Sequence, residues 1–248
     1  MLLLRMTKHV RDQNWLAVGL DFVIVVAGVF IGVQLGNWNG ANADKAAYEA
    51  ALERYRAEIE VNLATLDTFD EDAIANLKIV SGSFDALLSC EDSEETLNRV
   101  NLGLNGIVGT YGLSLRSAAL EELVSSARLL EQQDLAARAR FSDTAFKKAV
   151  FLREAAFIEL LPLEERMENN PILKVGTLST AEVSYVGADY SRPNRPLALT
   201  VPVSEACKDN RLIKSFYTWE RWQSALPAVS RILRQELESD RDWLDERL

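Results

Sequence analysis

Hydrophobic and polar positions divide this 248-residue chain into two regimes. Residues 15–38 read WLAVGLDFVIVVAGVFIGVQLGNW, a nearly continuous apolar run bracketed by Trp15 and Trp38. At a rise of 1.5 Å per residue about 20 apolar residues cross a bilayer, and residues 16–35 supply that length. Tryptophan favours the water–lipid interface, so the bracket suits the two ends of a spanning helix. Beyond it the apolar positions become periodic. They fall at Leu52, Tyr55, Ile59, Leu63, Leu66, Phe69, Ala73, Leu77, Val80, Phe84 and Leu87. Steps of three and four without proline predict one long amphipathic helix or two nearly collinear ones. Residues 37–42, with Gly40 and three asparagines, are the expected break after the membrane segment, and Gly82 is the weakest interior point.

The polar stretch 90–95 reads as a loop with Ser93 as an N-cap. Glycines 103, 106, 109 and 112 are expected to interrupt any long helix that follows, and helical spacing resumes over 111–124. A further helix is predicted over 131–169, with Leu135, Ala139, Phe146, Val150, Phe157, Leu160 and Leu161 facing inward and a bend at Pro162. Residues 170–204 hold four of the six prolines, with Val, Thr, Ser and Tyr between them. They predict an irregular or β insertion, with a hairpin pairing 183–186 against 197–201. The chain closes helically over 212–248, kinked near Pro227. The expected fold is mainly α: a cytoplasmic N-terminus (1–14), a transmembrane helix (15–38) and a helical bundle (39–248) interrupted by the 170–204 insertion.

A cleavable signal peptide competes with the retained anchor, since Arg5, Lys8 and Arg11 precede the run and Ala41-Asn42-Ala43 resembles a cleavage site. The apolar run is long for a signal peptide, and the alanines lie well beyond it, so the anchor is preferred. The same three basic residues place residues 1–14 in the cytoplasm and the remainder in the periplasm. The chain carries 27 basic and 37 acidic side chains, and residues 1–38 contribute only three and two of these. The exported part is therefore strongly acidic, a poor partner for nucleic acid or anionic head groups. Cys90 and Cys207 are the only cysteines, and in an oxidising compartment two such cysteines in polar, turn-like settings are expected to pair.

Candidate chemistry is sparse. The single histidine, His9, precedes the membrane run, so the exported part lacks an imidazole base for a Ser or Cys nucleophile and the usual zinc ligand sets. Asp67, Asp70, Glu71 and Asp72 do not have EF-hand spacing and read as a solvated face. No cofactor or metal is expected. Gly28, Gly32 and Gly36 form two overlapping G-x-x-x-G steps on one helix face, where a second helix can approach closely. Asp21 and Gln34 are the polar residues of the run, read as interfacial groups or, for Gln34, a hydrogen-bonding group between helices. Phe216, Trp219 and Trp222 cluster near the C-terminus; core packing is the default, and an aromatic anchor for a partner is the functional alternative.

Two segments carry a family resemblance: Asn37-Trp38-Asn39-Gly40 after the membrane run, and Tyr111-Gly112-Leu113-Ser114-Leu115-Arg116-Ser117-Ala118. They resemble the Asn-Trp-x-Glu and Tyr-x-x-Leu-x-x-Ser-Gly signatures of an uncharacterised bacterial family of single-pass membrane proteins, with Gly40 replacing the acidic residue and Ala118 the glycine. The resemblance implies a retained anchor and a helical exterior, and no particular activity. From these readings the expected function is a non-catalytic accessory, scaffolding or assembly subunit. Its partners would be the lipid bilayer and another membrane protein or a second copy through the glycine face. The alternative is a periplasmic ligand-binding or sensory domain that signals through a membrane partner.

Overall fold

A computed structural model of the protein describes residues 15–108, 113–164, 167–185 and 188–248. It is mainly helical and divides into two compact units, one ending at Ala50 and the other spanning Ala51–Leu248. Helix α1 (Trp15–Ser89) contributes to both. In the first unit its residues form one helix long and apolar enough to cross a membrane. The apolar side chains from Leu20 to Trp38 are exposed. The break expected at 37–42 does not occur, and α1 also continues through Gly82. Asparagine and glycine each cost a helix at most about 1 kcal/mol, too little to stop it without a capping or turn-forming sequence. The expected cytoplasmic segment 1–14 lies outside the described residues.

In the second unit the stripe from Leu52 to Leu87 is the spine of the core. Tyr55, Ile59, Leu66, Val80 and Leu87 are completely buried, and Leu77 is half-buried. Ser93 caps α2 (Glu94–Ile107) as expected, accepting a hydrogen bond from the Thr96 amide. Gly103 and Gly106 do not end that helix. A Cβ on Gly103 would lie 2.2 Å from Ser83 Cβ, and one on Gly106 would lie 2.6 Å from Val80 Cγ2. These glycines therefore bring α2 against α1, and helix α2 tolerates them because the contact compensates their poor propensity. Gly109, Tyr111 and Gly112 fall outside the described residues.

Among the described residues helical structure resumes at α3 (Ala118–Ser125), followed by the short α4 (Ala127–Gln132) and α5 (Leu135–Glu164), which continues through Pro162. A 3-10 turn (Met167–Asn169) leads into the insertion. Its strands are β1 (Leu173–Val175), β2 (Ser179–Tyr185), β3 (Ala188–Asn194) and β4 (Leu197–Leu199). The expected pairing of 183–186 with 197–201 is corrected: β4 pairs with β1, while β2 pairs with β3. Sum-of-register shifts by one residue between the two antiparallel ladders, so one extra residue separates them on the β1–β2 side. The reason for the β1–β4 pairing is burial. Leu197 and Leu199 face the core, and the Asn101 and Asn105 side chains of α2 accept from the Leu199 and Leu197 amides.

The chain ends in α6 (Val203–Ala206), α7 (Asn210–Gln223) and α8 (Leu226–Asp245). Pro227 sits in the first turn of α8, where its missing N–H costs nothing, so the chain breaks between two helices instead of kinking one. One core cluster joins the end of α1 to α2, β4, α6 and α7, with Phe84 stacked on Phe216 at 5.6 Å. The Cys90–Cys207 disulfide ties the end of α1 to α6 with a Cα–Cα distance of 5.5 Å and a sequence separation of 117.

Three outcomes follow from this packing. Gly103→Ala forces apart two backbones and is expected to cost about 1–3 kcal/mol in denaturant unfolding. Gly82→Ala, where nothing lies within 4 Å of the new Cβ, is expected to be neutral or to add up to about 1 kcal/mol. Reduction of Cys90–Cys207 frees a loop of more than one hundred residues and is expected to remove up to ~4–5 kcal/mol on the chain-entropy argument, read as a lower unfolding midpoint with reductant.

Candidate functional site

The residues singled out in the sequence do not converge. Gly28, Gly32 and Gly36 lie in the first unit with open space around each. Trp38 and Gln34 are exposed on the same helix, and the side chains of Trp15 and Asp21 fall outside the described structure. Cys90 and Cys207 are joined. Phe216 and Trp219 are fully buried in the core, in line with the default reading of core packing, and of the three aromatics Trp222 alone reaches the surface. Trp222 is exposed and lies edge-on to Phe157 with ring centroids 5.9 Å apart.

What the second unit does bring together is a buried polar seam along α1. Its members are Tyr55, Glu58 and Asn62, meeting Thr144 and Lys148 of α5 and Asp240 of α8. Glu58 reaches across to α3, where Ala119 and Leu120 donate their backbone N–H groups to its carboxylate at 2.8 and 3.4 Å. The first amides of a helix have no partner within it, and Ser117 makes no side-chain cap. A carboxylate from another helix thus does the capping and sits at the positive end of the α3 dipole. Asn62 binds the backbone of Arg116 twice, donating from Nδ2 to the carbonyl at 2.9 Å and accepting the amide at 2.8 Å. The Lys148 ammonium donates to the same carbonyl and lies 3.8 Å from Glu58.

Asp240 is the second node. Its Oδ2 accepts from the Tyr55 hydroxyl at 2.6 Å and from Thr144 at 2.7 Å, and its Oδ1 accepts from Arg140 at 2.9 Å. A fully buried carboxylate is tolerable only when so surrounded by donors. Burial, and next the Asp240 charge, push the Tyr55 phenol well above its ordinary range. Burial pulls Lys148 below the ordinary lysine range, with the Glu58 charge acting the other way. The seam's charges and hydrogen bonds are taken up by one another, and they tie residues 116–120 and α5 to α1.

Sequence reasoning missed this seam because Thr144 and Lys148 are polar. They occupy the buried face of α5 with Ala137, Phe141, Phe151, Ala155 and Ile158. The face chosen from bulky residues is instead exposed, since Leu135, Phe146, Phe157 and Leu160 point away from the core. Strict three- and four-residue spacing of Phe141, Thr144, Lys148 and Phe151 was the available signal. A second omission is Arg234. It binds Asp67 at 2.6 Å and Asp70 at 3.1 Å, so those two acids are ion-paired across α1 and α8, not merely solvated. Among the described residues no group of His, Cys, Asp and Glu is placed to hold a metal ion. Among the described residues the hollows are open surface grooves, one of them lined by Ala139, Arg140, Ser142, Asp143 and Phe146. Comparison with protein-family models, curated proteins and solved structures finds no match to the chain.

The Tyr55 shift has a defined pH consequence. The unfolded chain loses this proton above about pH 10, whereas the folded chain keeps it. The associated stability is complete below that pH and is lost as pH rises through and beyond it. Tyr55→Phe is expected to flatten the alkaline loss between about pH 9.5 and 11. Near neutrality it should cost about 1–3 kcal/mol, because Asp240 loses a buried donor. Denaturant midpoints of both proteins across that range check both effects.

Proposed function

We propose that the protein is a non-catalytic accessory or scaffolding subunit held in a bacterial inner membrane by the first part of α1. Residues 1–14 then lie in the cytoplasm, and residues 39–248 in the periplasm. The carrying observation is the uncovered apolar surface of α1 from Leu20 to Trp38. Such a surface requires lipid or another protein around it, since soluble monomers rarely expose contiguous apolar patches beyond a few hundred Å². The Cys90–Cys207 bridge agrees with an oxidising compartment for the second unit. The basic residues Arg5, Lys8 and Arg11 supply the orientation.

In this reading Gly28, Gly32 and Gly36 are the face on which another membrane helix packs, because their open backbone permits close approach. The partner is a larger membrane protein or a second copy of the chain. The saturated polar seam supports a presenting role for the second unit: its charged groups are engaged in holding helices together. The signature-like segments around Trp38 and Leu113–Ala118 fit the single-pass family that they resemble, whose members share this plan.

The test is purification of the tagged full-length protein from its native membrane in mild detergent, with sizing and mass spectrometry. A membrane protein, or a second copy, at fixed stoichiometry is expected. Gly32→Ile should reduce its recovery at least about tenfold, as expected for loss of a close backbone contact. Recovery of a monomer, or an association indifferent to Gly32→Ile, would contradict the proposal.

A further inference from the structure

Helix α5 is apolar on two opposite sides. Its buried positions 137, 141, 144, 148, 151, 155 and 158 step by three and four along one face. At 3.6 residues per turn, positions 135, 139, 142, 146, 150, 153, 157 and 160 lie half a turn away and step in the same manner. That second stripe is largely open: Leu135 is 83 % exposed, Phe146 67 %, Leu160 60 %, and Phe157, one edge of which meets Trp222, 49 %. These four side chains leave on the order of 500 Å² of apolar surface open on each copy, judged from the 150–250 Å² an aromatic side chain offers. A helix apolar on both faces is ordinarily buried on both.

We infer that this outer stripe of α5 is covered by the same stripe of a second copy, the two helices running antiparallel about a two-fold axis near residues 147–148. The order of side chains carries the inference. Antiparallel pairing in that register sets Leu135 against Leu160 of the second copy, Ala139 against Ala156 with Phe157 one residue further on, Ser142 against Arg153, and Phe146 against Ala149. Each aromatic ring meets a small residue, and the two polar positions of the stripe meet each other. Phe157 then enters the open groove of about 710 Å³ lined by Ala139, Ser142, Asp143 and Phe146.

Charge agrees with the same register. Arg153 is largely exposed, with its sequence neighbour Glu154 at 3.4 Å. Pairing brings it beside Asp143 of the second copy, which also bonds Lys147 of its own helix at 2.6 Å, and symmetry makes the contact twice. A parallel arrangement sets Arg153 on Arg153 and Phe146 on Phe146, which like-charge repulsion and steric mismatch disfavour. Two such surfaces together bury roughly 1,000 Å², the lower limit for a biological interface of good complementarity. The inference uses the second unit alone and does not depend on the glycine face of α1.

Two differently tagged full-length copies, one Ala139→Cys and the other Ala156→Cys, are co-expressed and treated in mild detergent with a short bis-maleimide. The native cysteines are already joined to each other. A linked dimer carrying both tags is expected. Ala139→Cys in both copies gives little product, because the antiparallel register separates those positions by about 25 Å along the helix. Phe146→Glu in both copies, at an exposed site that leaves the far-UV circular dichroism unchanged, reduces linkage at least about tenfold, as expected for loss of a central aromatic contact. Equal linkage of the 139/139 pair, absence of any linked dimer, linkage to a different protein, or persistence of linkage with Phe146→Glu each overturns the inference.

Discussion

The Glu58 carboxylate occupies a position that three helices need at once. It caps the amides of Ala119 and Leu120 at the start of α3, and it lies against the Lys148 ammonium of α5. One turn further along α1, Asn62 takes both backbone groups of Arg116, whose carbonyl Lys148 also binds. The consequence is geometric more than energetic. A buried ion pair adds little net stability over a well-packed apolar pair. Sliding α5 by one turn, however, would leave Lys148 and Thr144 buried without partners, at a cost of several kcal/mol. An apolar seam of the same length would tolerate such a slip far better. The polar seam therefore sets the register of α5 and α3 on α1, and the apolar clusters fill around it.

At the other end of the unit, glycine does comparable work by contact distance. Gly103 and Gly106 let α2 lie against Ser83 and Val80, so that Leu104 and Ile107 join the cluster containing Phe84, Phe216 and Trp219. The disulfide closes that end by fixing α6 to the end of α1. The β1–β4 ladder lies there too, with its two buried leucines held by asparagines of α2. By contrast, β2 and β3 carry mostly exposed residues and form a two-stranded arm.

Much of the helical plan was legible. The stripe from Leu52 to Leu87 needed only periodicity, because its apolar positions have one face to serve. The Ser93 cap and the cysteine pair were also readable, since each rests on local chemistry. Helix α5 defeated the same method. Its bulky residues lie on the outer face, while its inner face contains Thr144 and Lys148, whose partners are contributed by residues 32 to 96 positions away. No local signal says that a lysine will find a carboxylate across a bundle. The glycines of α2 misled for a related reason: their low helix propensity is visible in sequence, and the neighbouring helix that repays it is not. Pairing within the insertion likewise followed from which strand α2 could bind.

The surfaces left over after the core is assembled are then the informative ones for function. The apolar length of α1 is uncovered and the outer stripe of α5 largely open, and both follow from side-chain order rather than composition. Their meaning depends on the second unit being a well-registered platform, which is the task assigned to Glu58 and Asn62. Native-state hydrogen exchange of the full-length protein tests this directly. The amides of Arg116, Ala119 and Leu120 should be protected to the level of the buried stretch of α1, and Glu58→Ala should release Ala119 and Leu120 selectively. Rapid exchange at those amides in the unaltered protein, or protection indifferent to Glu58→Ala, would contradict the account.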